Sequence, residues 1–313
     1  MKLVKSGEPQ RGSDRLTKND TLVKGIDVSE ERWLLIDVNR QAFGISCANV
    51  IELLEQTARM VSKLPGCQPP WTGVFKHRDS VLPVLDARVM LGFPSFEEEI
   101  GELRDMLATR EEDHVNWLTE LKSCCTTGRE FTKATDPHKC AFGKWYDQLT
   151  GSPSRMNRLT GDDPSLTMMI EGFDAPHKAI HGIAQQALEL AGSGNIAQAE
   201  ALIAETWEGE LGHMRELFKN LIEGIVARRK SRFVVMEIAG DRVAMVVDTV
   251  KSLVSIDESE IKPIEAGEKG EACLKGVYLF EDHGPVMILD VDAIGRLVAR
   301  DEPLAQVTQN QAA

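Results

Sequence analysis

The sequence predicts an α+β protein in which a helical segment interrupts a β-rich domain. Two stretches of alternating apolar residues, typical of short β-strands, flank a middle stretch in which apolar residues recur at helical spacing. The two β-rich stretches also share one layout. Each begins with a hairpin, and each later reaches Gly-Val followed by an apolar strand that ends in Asp. These observations predict two related β-subdomains with a helical module between them.

The first β-rich stretch contains a predicted hairpin at residues 33–45 and a predicted strand at residues 81–86. Pro83 lies within that strand, and because proline cannot donate a ladder hydrogen bond, we expect an edge strand or a bulge there. Apolar residues at 48–54 are too closely spaced for clean alternation, so a strand and a short helix remain alternatives. The second stretch repeats the layout, beginning with a hairpin at residues 233–247.

The middle segment predicts an antiparallel four-helix bundle, because helical patterns follow one another across short polar loops. Ser95, followed by acidic residues, is a plausible helix start. An even number of antiparallel helices returns the chain to its starting end, which keeps the two β-rich stretches adjacent. The predicted segments are a helix from Ser95 to Thr127, a helix over about 136–149 with Pro137 in its first turn, a loop at 150–164, a helix over 164–190 broken or kinked at Pro176, and a last helix over roughly 195–229.

Composition and charge argue against several classes of function. The chain has 313 residues and a formal charge of −13, which argues against nucleic acid as a partner because phosphate binding needs a basic surface. No apolar run approaches the length of a membrane span, and the first residues lack the apolar core of a signal peptide. Six scattered cysteines suit a reduced compartment better than a disulfide framework. We therefore expect a cytoplasmic protein without direct membrane insertion.

Four residues of the predicted bundle could share one metal ion. His177 and His181 are four residues apart on one predicted helix, so both imidazoles project from the same face. Cys140 adds a thiolate donor and His114 a third imidazole, both on predicted helices. Three imidazoles and one thiolate suit Zn²⁺ better than Mg²⁺ or Ca²⁺. The spacing alone leaves a second interpretation open, in which these are ordinary core or surface residues.

The surroundings of Cys140 favour the metal. The run Cys-Ala-Phe-Gly-Lys-Trp-Tyr at residues 140–146, preceded by His114 and followed by His177-x-x-x-His181, resembles the chemoreceptor zinc-binding domain. The resemblance covers about residues 96–229. It implies that the zinc ligands are His114, Cys140, His177 and His181.

Other residues follow from the same resemblance. Trp145 and Tyr146 match the aromatic pair that the family has beside its ligands, whereas Ala141 stands where the family often has arginine. Cys140 becomes the candidate redox switch, because a thiolate is the form that oxidants attack. Four protein ligands close a tetrahedral zinc and leave no position for an activated water, so we expect no enzyme. Helical geometry argues against His138 as a ligand.

The β-rich stretches resemble CheW, the adaptor of bacterial chemotaxis arrays. Residues 73–86 are similar to the family's Gly-Val-Ile-Asn-Leu-Arg-Gly stretch followed by Pro-Val-Ile-Asp, and Arg78 matches the family's arginine. That arginine is implicated in receptor and array contacts, although Asp79 replaces the glycine after it and Lys76-His77 replaces Asn-Leu. The resemblance implies two small five-stranded β-barrels. A groove between them would take a chemoreceptor tip, and another face would take the histidine kinase CheA.

The sequence therefore predicts a chemotaxis adaptor that couples chemoreceptors to CheA at membrane-associated arrays. Its inserted bundle would make the coupling responsive to zinc or to an oxidant. The alternatives are an adaptor in which zinc is only a structural staple, and a zinc enzyme with an exchangeable ligand. The expected domains are a flexible N-terminal tail at 1–30, a first CheW-like half at 31–95, the zinc-binding bundle at 96–230, a second CheW-like half at 231–300 and a C-terminal tail at 301–313.

Overall fold

A computed structural model of the chain describes residues 31–55, 61–229, 231–264, 271–280 and 284–298. The expected tails at 1–30 and 301–313 lie outside the described residues. We call the β-rich part, before residue 96 and after residue 230, the host, and the helical part between them the insert.

The host is built from two β-sheets in which most neighbouring strands are antiparallel. Its strands are β1 (Glu31–Val38), β2 (Gln41–Ser46), β3 (Val50–Glu55), β4 (Val61–Ser62), β5 (Trp71–His77), β6 (Ser80–Asp86), β7 (Arg232–Ile238), β8 (Asp241–Val247), β9 (Thr249–Ile256), β10 (Leu274–Phe280) and β11 (Gly284–Leu289). One sheet has the order β10-β11-β2-β1-β9, and the other has the order β3-β7-β8-β6-β5-β4. A 3-10 turn at Cys47–Asn49 precedes β3. Residues 48–54, for which a strand and a short helix were alternatives, therefore form the end of a 3-10 turn followed by a strand.

Each sheet combines strands from both halves of the host. The first-half hairpin, β1-β2, pairs with β9 and β11 of the second half, while the second-half hairpin, β7-β8, pairs with β3 and β6 of the first half. The corresponding strands occupy corresponding places, since β10-β11-β2-β1-β9 has the same pattern as β5-β6-β8-β7-β3. The prediction of two related subdomains is therefore right in pattern, but each subdomain exchanges its hairpin with the other.

The expected five-stranded barrels differ from the observed sheets in two ways. The second sheet has a sixth strand, because the two-residue β4 adds to the edge of β5. Within the described ranges, neither sheet closes, since its two outer strands do not pair with each other. Pro83 also lies on an inner strand, β6, where β8 pairs only from Val84 onward. Pro83 itself is paired with Val74, so the bulge expected at Pro83 is not there, and the irregularity of this strand pair lies on β5 between Trp71 and Gly73.

The insert begins with a long helix that the sequence predicted well. The helices are α1 (Ala87–Met90) in the host, α2 (Phe96–Thr127), α3 (Ala141–Thr150), α4 (Pro153–Thr160), α5 (Pro164–Glu171), α6 (Asp174–Gly192), α7 (Ile196–Thr206) and α8 (Gly212–Arg228) in the insert, and α9 (Val291–Val298) in the host. Ser95 caps α2, with its Oγ accepting from the Glu98 amide at 3.2 Å and the Glu98 carboxylate accepting from the Ser95 amide at 2.7 Å. Gly128 ends the helix in the left-handed conformation, at φ 71°.

Two predictions about the later helices were wrong. The second helix begins at Ala141 rather than at residue 136, since Pro137–Lys139 forms a separate 3-10 turn. The segment 150–164, expected to be a loop, contains α4. Its Ser, Pro and Gly residues cap that helix: Ser152 accepts from the Arg155 amide and Gly161 ends it at φ 61°.

The expected third helix is divided at Gly172 and Phe173 into α5 and α6. Pro176 lies in the first turn of α6, and the division three to four residues before it agrees with the predicted break, because proline cannot donate to the carbonyl four residues earlier. The last helix continues from α7 to α8 through a π-helical turn at Trp207–Leu211. The insert thus has three long helical segments, which are α2, α6 and the continuous α7–α8. The shorter helices α3, α4 and α5 connect α2 to α6.

The insert and the host have separate hydrophobic cores. Leu118, Phe142, Phe173 and Leu221 are fully buried in a single cluster formed by insert residues alone. The host side chains form three other clusters, which draw on both halves of the host. No helix in the described ranges has both the length and the apolar character needed to span a bilayer. The two parts therefore meet mainly through the chain crossings and the polar contacts around them.

Candidate metal centre

Four potential metal ligands from three parts of the insert converge in its interior. His114 lies on α2, Cys140 caps α3, and His177 and His181 lie one turn apart on α6. One ligand atom from each residue lies within 4.8 Å of those of the other three. All three imidazoles are buried and the thiol is half-buried, so the cluster is inside the bundle rather than on its surface.

Backbone geometry fixes the position of the Cys140 thiol. Its Sγ caps α3 by accepting from the Gly143 amide at 3.1 Å. The preceding 3-10 turn packs so close to α3 that a Cβ on Gly143 would lie 1.9 Å from the Pro137 carbonyl oxygen. Only glycine fits this approach, although glycine is otherwise unfavourable inside a helix. The Cys-x-x-Gly spacing therefore holds the thiol at the end of the helix instead of along its side.

Hydrogen bonding orients His114. Its Nδ1 lies 2.6 Å from the Arg110 carbonyl oxygen one turn earlier on α2. A carbonyl can only accept, so Nδ1 carries the proton and Nε2 keeps its lone pair. That Nε2 is buried and has no hydrogen-bond partner among the residues that the structure describes. A backbone carbonyl on the far nitrogen is the usual support of a histidine ligand, since it sets both tautomer and ring direction.

The two histidines of α6 face the same space. His177 Nε2 lies 3.2 Å from Cys140 Sγ. Neither ring nitrogen of His181 makes a hydrogen bond of normal geometry, although the Ala134 carbonyl is near enough to act on its pKa. Buried polar atoms are almost always paired, so the unpaired nitrogens of His114 and His181 mark a place for a missing partner.

Two aromatic side chains line the cluster. The Trp117 ring lies 4.9 Å from that of His181, and its Nε1 donates to the Ala134 carbonyl at 2.8 Å. The Phe142 ring meets His177 edge-on at 4.7 Å. Trp117 could have been found by spacing, because it follows His114 by three residues on one helix face, whereas the two-residue spacing of Phe142 from Cys140 gives no such signal. The pair that we expected beside the ligands, Trp145 and Tyr146, instead contacts the site through Phe142.

Burial controls the protonation of the four groups. Burial lowers the pKa of His177 to about 3 and that of His181 to about 4, from an ordinary value of 6.5, and the neighbouring His114 adds to both shifts. Burial also lowers the pKa of His114. For Cys140, burial raises the thiol pKa, with the Gly143 and Phe142 amides opposing the shift. In the absence of metal, the imidazoles are therefore neutral near pH 7 and ready to donate lone pairs, while the thiol keeps its proton.

The donor set fits Zn²⁺. Bonds of about 2.0–2.3 Å in tetrahedral zinc place the donors roughly 3.3–3.7 Å apart. One distance here is already near that range, and the remaining donors need only small side-chain adjustments from separations of at most 4.8 Å. Imidazole nitrogen and thiolate sulfur are both donors that suit Zn²⁺, and four protein donors are typical of structural zinc sites. With four protein donors, no position remains for a reactive water.

The other histidines that we considered lie elsewhere. His138 is exposed and pairs with Asp147 at 3.0 Å, as expected for a residue that is not a ligand. His213 is exposed on α8. Cys124 and Cys125 are adjacent and buried on α2, and neither forms a disulfide.

Arg78 lies far from the cluster in sequence, in the tight turn between β5 and β6. It has a positive φ of 53° and a side chain that is 74% exposed. The guanidinium pairs with Glu52 of β3 at 2.9 Å, and Glu52 also contacts the His77 ring. The arginine is thus held at the tip of a hairpin on the host surface, where a partner could reach it.

Two family models match the chain. The CheW-like domain matches residues 32–115 and 211–298, and the Chemoreceptor zinc-binding domain matches residues 114–188. The first covers more than half of the chain in two segments, and the second lies between them. All four clustered residues fall within the second match.

Among solved structures, the chain is similar to the crystal structure of the scaffolding protein TtCheW from Thermoanaerobacter tengcongensis, at 11% sequence identity. The similarity covers 83% of this chain and 84% of that chain, with a TM-score of 0.37. At that TM-score it carries no argument about fold or function. A search of curated proteins finds no match.

Proposed function

Because the chain belongs to the CheW-like family and has a chemoreceptor zinc-binding domain inserted in its CheW-like domain, we propose that it couples chemoreceptors to the histidine kinase CheA under the control of zinc or an oxidant. The two families support a scaffold role in chemotaxis. The observation that carries the regulated form is the convergence of four zinc-type donors inside an insert that is joined to the host at both ends. The proposed domains are 31–95 and 231–300 for the scaffold and 96–230 for the sensor.

The proposed zinc ligands are His114, Cys140, His177 and His181. Their support is geometric: one donor atom from each lies in a shared space, and two of the imidazoles have unpaired buried nitrogens. The bound ion would supply a cross-link between α2, α6 and the start of α3. Structural zinc contributes on the order of 10 kcal/mol in small zinc domains. That is more than the ~5.5 kcal/mol needed to reverse a two-state population from 1:99 to 99:1.

Cys140 is the proposed redox switch. Its thiolate would react with a two-electron oxidant such as hypochlorous acid to give a sulfenic acid and chloride, with the oxidant's hydroxyl transferred to sulfur. A sulfenic acid is a poorer zinc ligand than a thiolate, so the cross-link through α3 would be lost. Oxidation and zinc depletion would then produce the same loosened bundle.

The proposed scaffold is not an enzyme, because the protein donors fill the coordination of a tetrahedral zinc. Arg78 is its proposed contact with a receptor or with CheA, supported by its exposure and by the match to the family's arginine. If the protein binds the cytoplasmic tips of chemoreceptors, it is located in the cytoplasm, at membrane-associated arrays.

A reconstituted assay with receptor, CheA and this protein tests the proposal. Kinase activity and co-sedimentation would be compared for zinc-loaded, chelated and oxidised protein. The regulated form predicts that chelation and oxidation change kinase activity in the same direction, whereas the staple alternative predicts equal activity as long as the host is folded. Cobalt substitution tests the enzyme alternative. A bound, exchangeable water would appear in the absorption spectrum of the cobalt protein as a five-coordinate site or as a site with a non-protein ligand.

Replacing Arg78 tests the proposed contact. R78A should weaken co-sedimentation with receptor and CheA at least several-fold, because it removes an exposed charge without touching a core. R155A is the matched control, since Arg155 is an exposed arginine of the insert that pairs only with Gln148. Equal binding by R78A and the unchanged protein would remove Arg78 from the interface.

A further inference from the structure

The two ends of the insert are joined to each other where they meet the host. The chain enters the insert at Phe96, at the start of α2, and leaves it at Arg229, just after α8. The Arg229 guanidinium lies 3.7 Å above the centre of the Phe96 ring. The interaction between a guanidinium and an aromatic face is attractive, so Phe96 and Arg229 stabilise each other where the insert begins and ends.

Asp248 connects this junction to the host. It is the single residue between β8, which belongs to the six-stranded sheet, and β9, which belongs to the five-stranded sheet. Its carboxylate accepts from Arg229 at 3.3 Å and from Arg88 Nε at 2.9 Å. The same carboxylate accepts from the Asn39 amide, in the β1-β2 turn, at 2.7 Å. One side chain of the second host half thus contacts the insert and two elements of the first half, while its own backbone joins the two sheets.

Arg88 extends the contact to α2. This residue of α1 is buried, with 7% of its surface exposed, and it donates to Glu99 in the first turn of α2 at 2.7 Å. Burial alone would lower its pKa, but Asp248 and Glu99 outweigh burial and raise it. Arg88 is therefore charged, and its two acceptors lie on opposite sides of the boundary between host and insert. A buried charge cannot give up one of these partners without a large cost.

A second connection runs through the β1-β2 turn. Arg40 lies 3.7 Å from Glu99, and its Nη2 also donates to the Arg158 carbonyl on α4. The turn thus contacts the insert at two places, one at the start of α2 and one on the short helix before α5. A change in the angle between α2 and its neighbours must shift these contacts or break them.

We propose that the Asp248 network, formed by Asn39, Arg88, Glu99, Arg229 and Asp248, transmits the state of the insert to the relative position of the two host sheets. A tilt of α2 moves Glu99 and, through their ion pair, Arg88. A shift of α8 moves Arg229. Both movements act on Asp248, the residue at which the chain crosses from one sheet to the other. The inference rests on the proposed function, because it names the route by which zinc in the bundle reaches the scaffold.

Hydrogen exchange on the full-length protein, read by mass spectrometry with and without zinc, tests the route. Zinc should slow exchange several-fold in the insert and also at the host turns around residues 37–40 and 246–250. In E99Q, zinc should bind with unchanged stoichiometry and still protect the insert, while the change at the two host turns is reduced, because only the Arg229 contact with Asp248 remains. The matched control is E97Q. Glu97 lies on the same turn of α2 and pairs with host Lys63 at 2.9 Å, but both side chains are 76% exposed, so the zinc effect should remain.

The outcomes separate this inference from the function on which it rests. A zinc effect at the host turns that is as large in E99Q as in the unchanged protein would overturn the proposed route, and so would protection of the insert with no change at either turn. No zinc effect anywhere, in a protein that lacks bound zinc by metal analysis, would overturn the metal site itself. D248N gives a second test at the centre of the network and should also remove the host response.

Discussion

Cys140 is the residue on which zinc retention depends most in this protein, since it is the only sulfur among the four clustered donors. C140A should abolish tight zinc retention, measured as zinc per chain by metal analysis after dialysis against a weak chelator. The reason is that C140A removes the one anionic donor and leaves the fourth position of the tetrahedron without a protein ligand. H138A is the control, because His138 is two residues away but exposed and outside the cluster. Unchanged zinc content in C140A would remove Cys140 from the site.

Gly143 has no metal-binding atom, yet the geometry of the site requires it. In G143A the new Cβ would meet the Pro137 carbonyl oxygen at 1.9 Å, and the 3-10 turn would have to move away from α3. We expect a loss of about 1–3 kcal/mol in bundle stability, as for other overpacked sites, together with weaker zinc binding. Thermal unfolding and zinc competition would measure both effects.

The control for that change is G182A on α6. Gly182 is exposed beside His181, and a Cβ there would meet nothing within 4 Å. Alanine should raise helix stability by roughly 0.5–1 kcal/mol at such a position. If both variants were equally stable, the close approach of Pro137 to Gly143 would not constrain the site.

At the scale of elements, the α2–α6 pair carries a pH dependence that the metal-free protein should show. The pKa values of His177 and His181 fall from 6.5 to about 3 and about 4 in the folded bundle because of burial, and that of His114 also falls. Below pH 6.5 the unfolded chain therefore binds protons that the folded bundle does not. Stability should then decrease as the pH falls from about 6.5 toward 4.

Circular dichroism melting of chelated protein between pH 7.5 and 5 would measure this decrease. The variant H213A should show the same slope, because His213 is exposed on α8 and takes no part in the cluster. H181L should show a smaller slope, since one of the buried imidazoles is gone. A melting temperature that is constant over this range would contradict the burial of neutral imidazoles.

Capping residues explain which elements the sequence predicted and which it did not. The start of α2 was predictable because Ser95 and Glu98 form a complete capping box in the sequence. The helix α4 was not, because Ser152, Pro153 and Gly161 are common both in loops and at helix ends, and only the packing of the eight residues between distinguishes the two. The break near Pro176 was predictable, because proline is tolerated in the first turn of a helix but not in its interior.

At the scale of the whole molecule, the sequence predicted the insertion and the metal set but not the way the parts are joined. The repeated layout of the two β-rich stretches gave no sign that β1-β2 and β7-β8 would exchange places, because strand partners depend on packing between distant segments. Arg88 and Asp248 are 160 residues apart, and nothing local marks them as partners. The four clustered residues could be predicted because His177 and His181 are one turn apart on a helix and the run that follows Cys140 is specific.

The separate cores predict how the molecule responds to a chelator. Because no insert side chain belongs to the host clusters, zinc removal should lower the unfolding temperature of the helical part while the host sheets remain folded. Helix-dominated and strand-dominated circular dichroism signals, followed during melting with and without chelator, would separate the two transitions. Unfolding of the host on chelation would show that zinc is needed for the whole fold, and a loss of coupling could then not be assigned to signalling.

The whole account depends on one zinc ion held by three nitrogens and one sulfur, and X-ray absorption at the zinc edge measures that directly. The full-length protein, loaded with one equivalent of zinc, should show four-coordinate zinc with three nitrogen ligands near 2.0 Å and one sulfur near 2.3 Å, as is general for such sites. The sulfur contribution should vanish in C140A. A spectrum with only oxygen and nitrogen ligands in the unchanged protein, or with a water in the fourth position, would contradict the proposed centre.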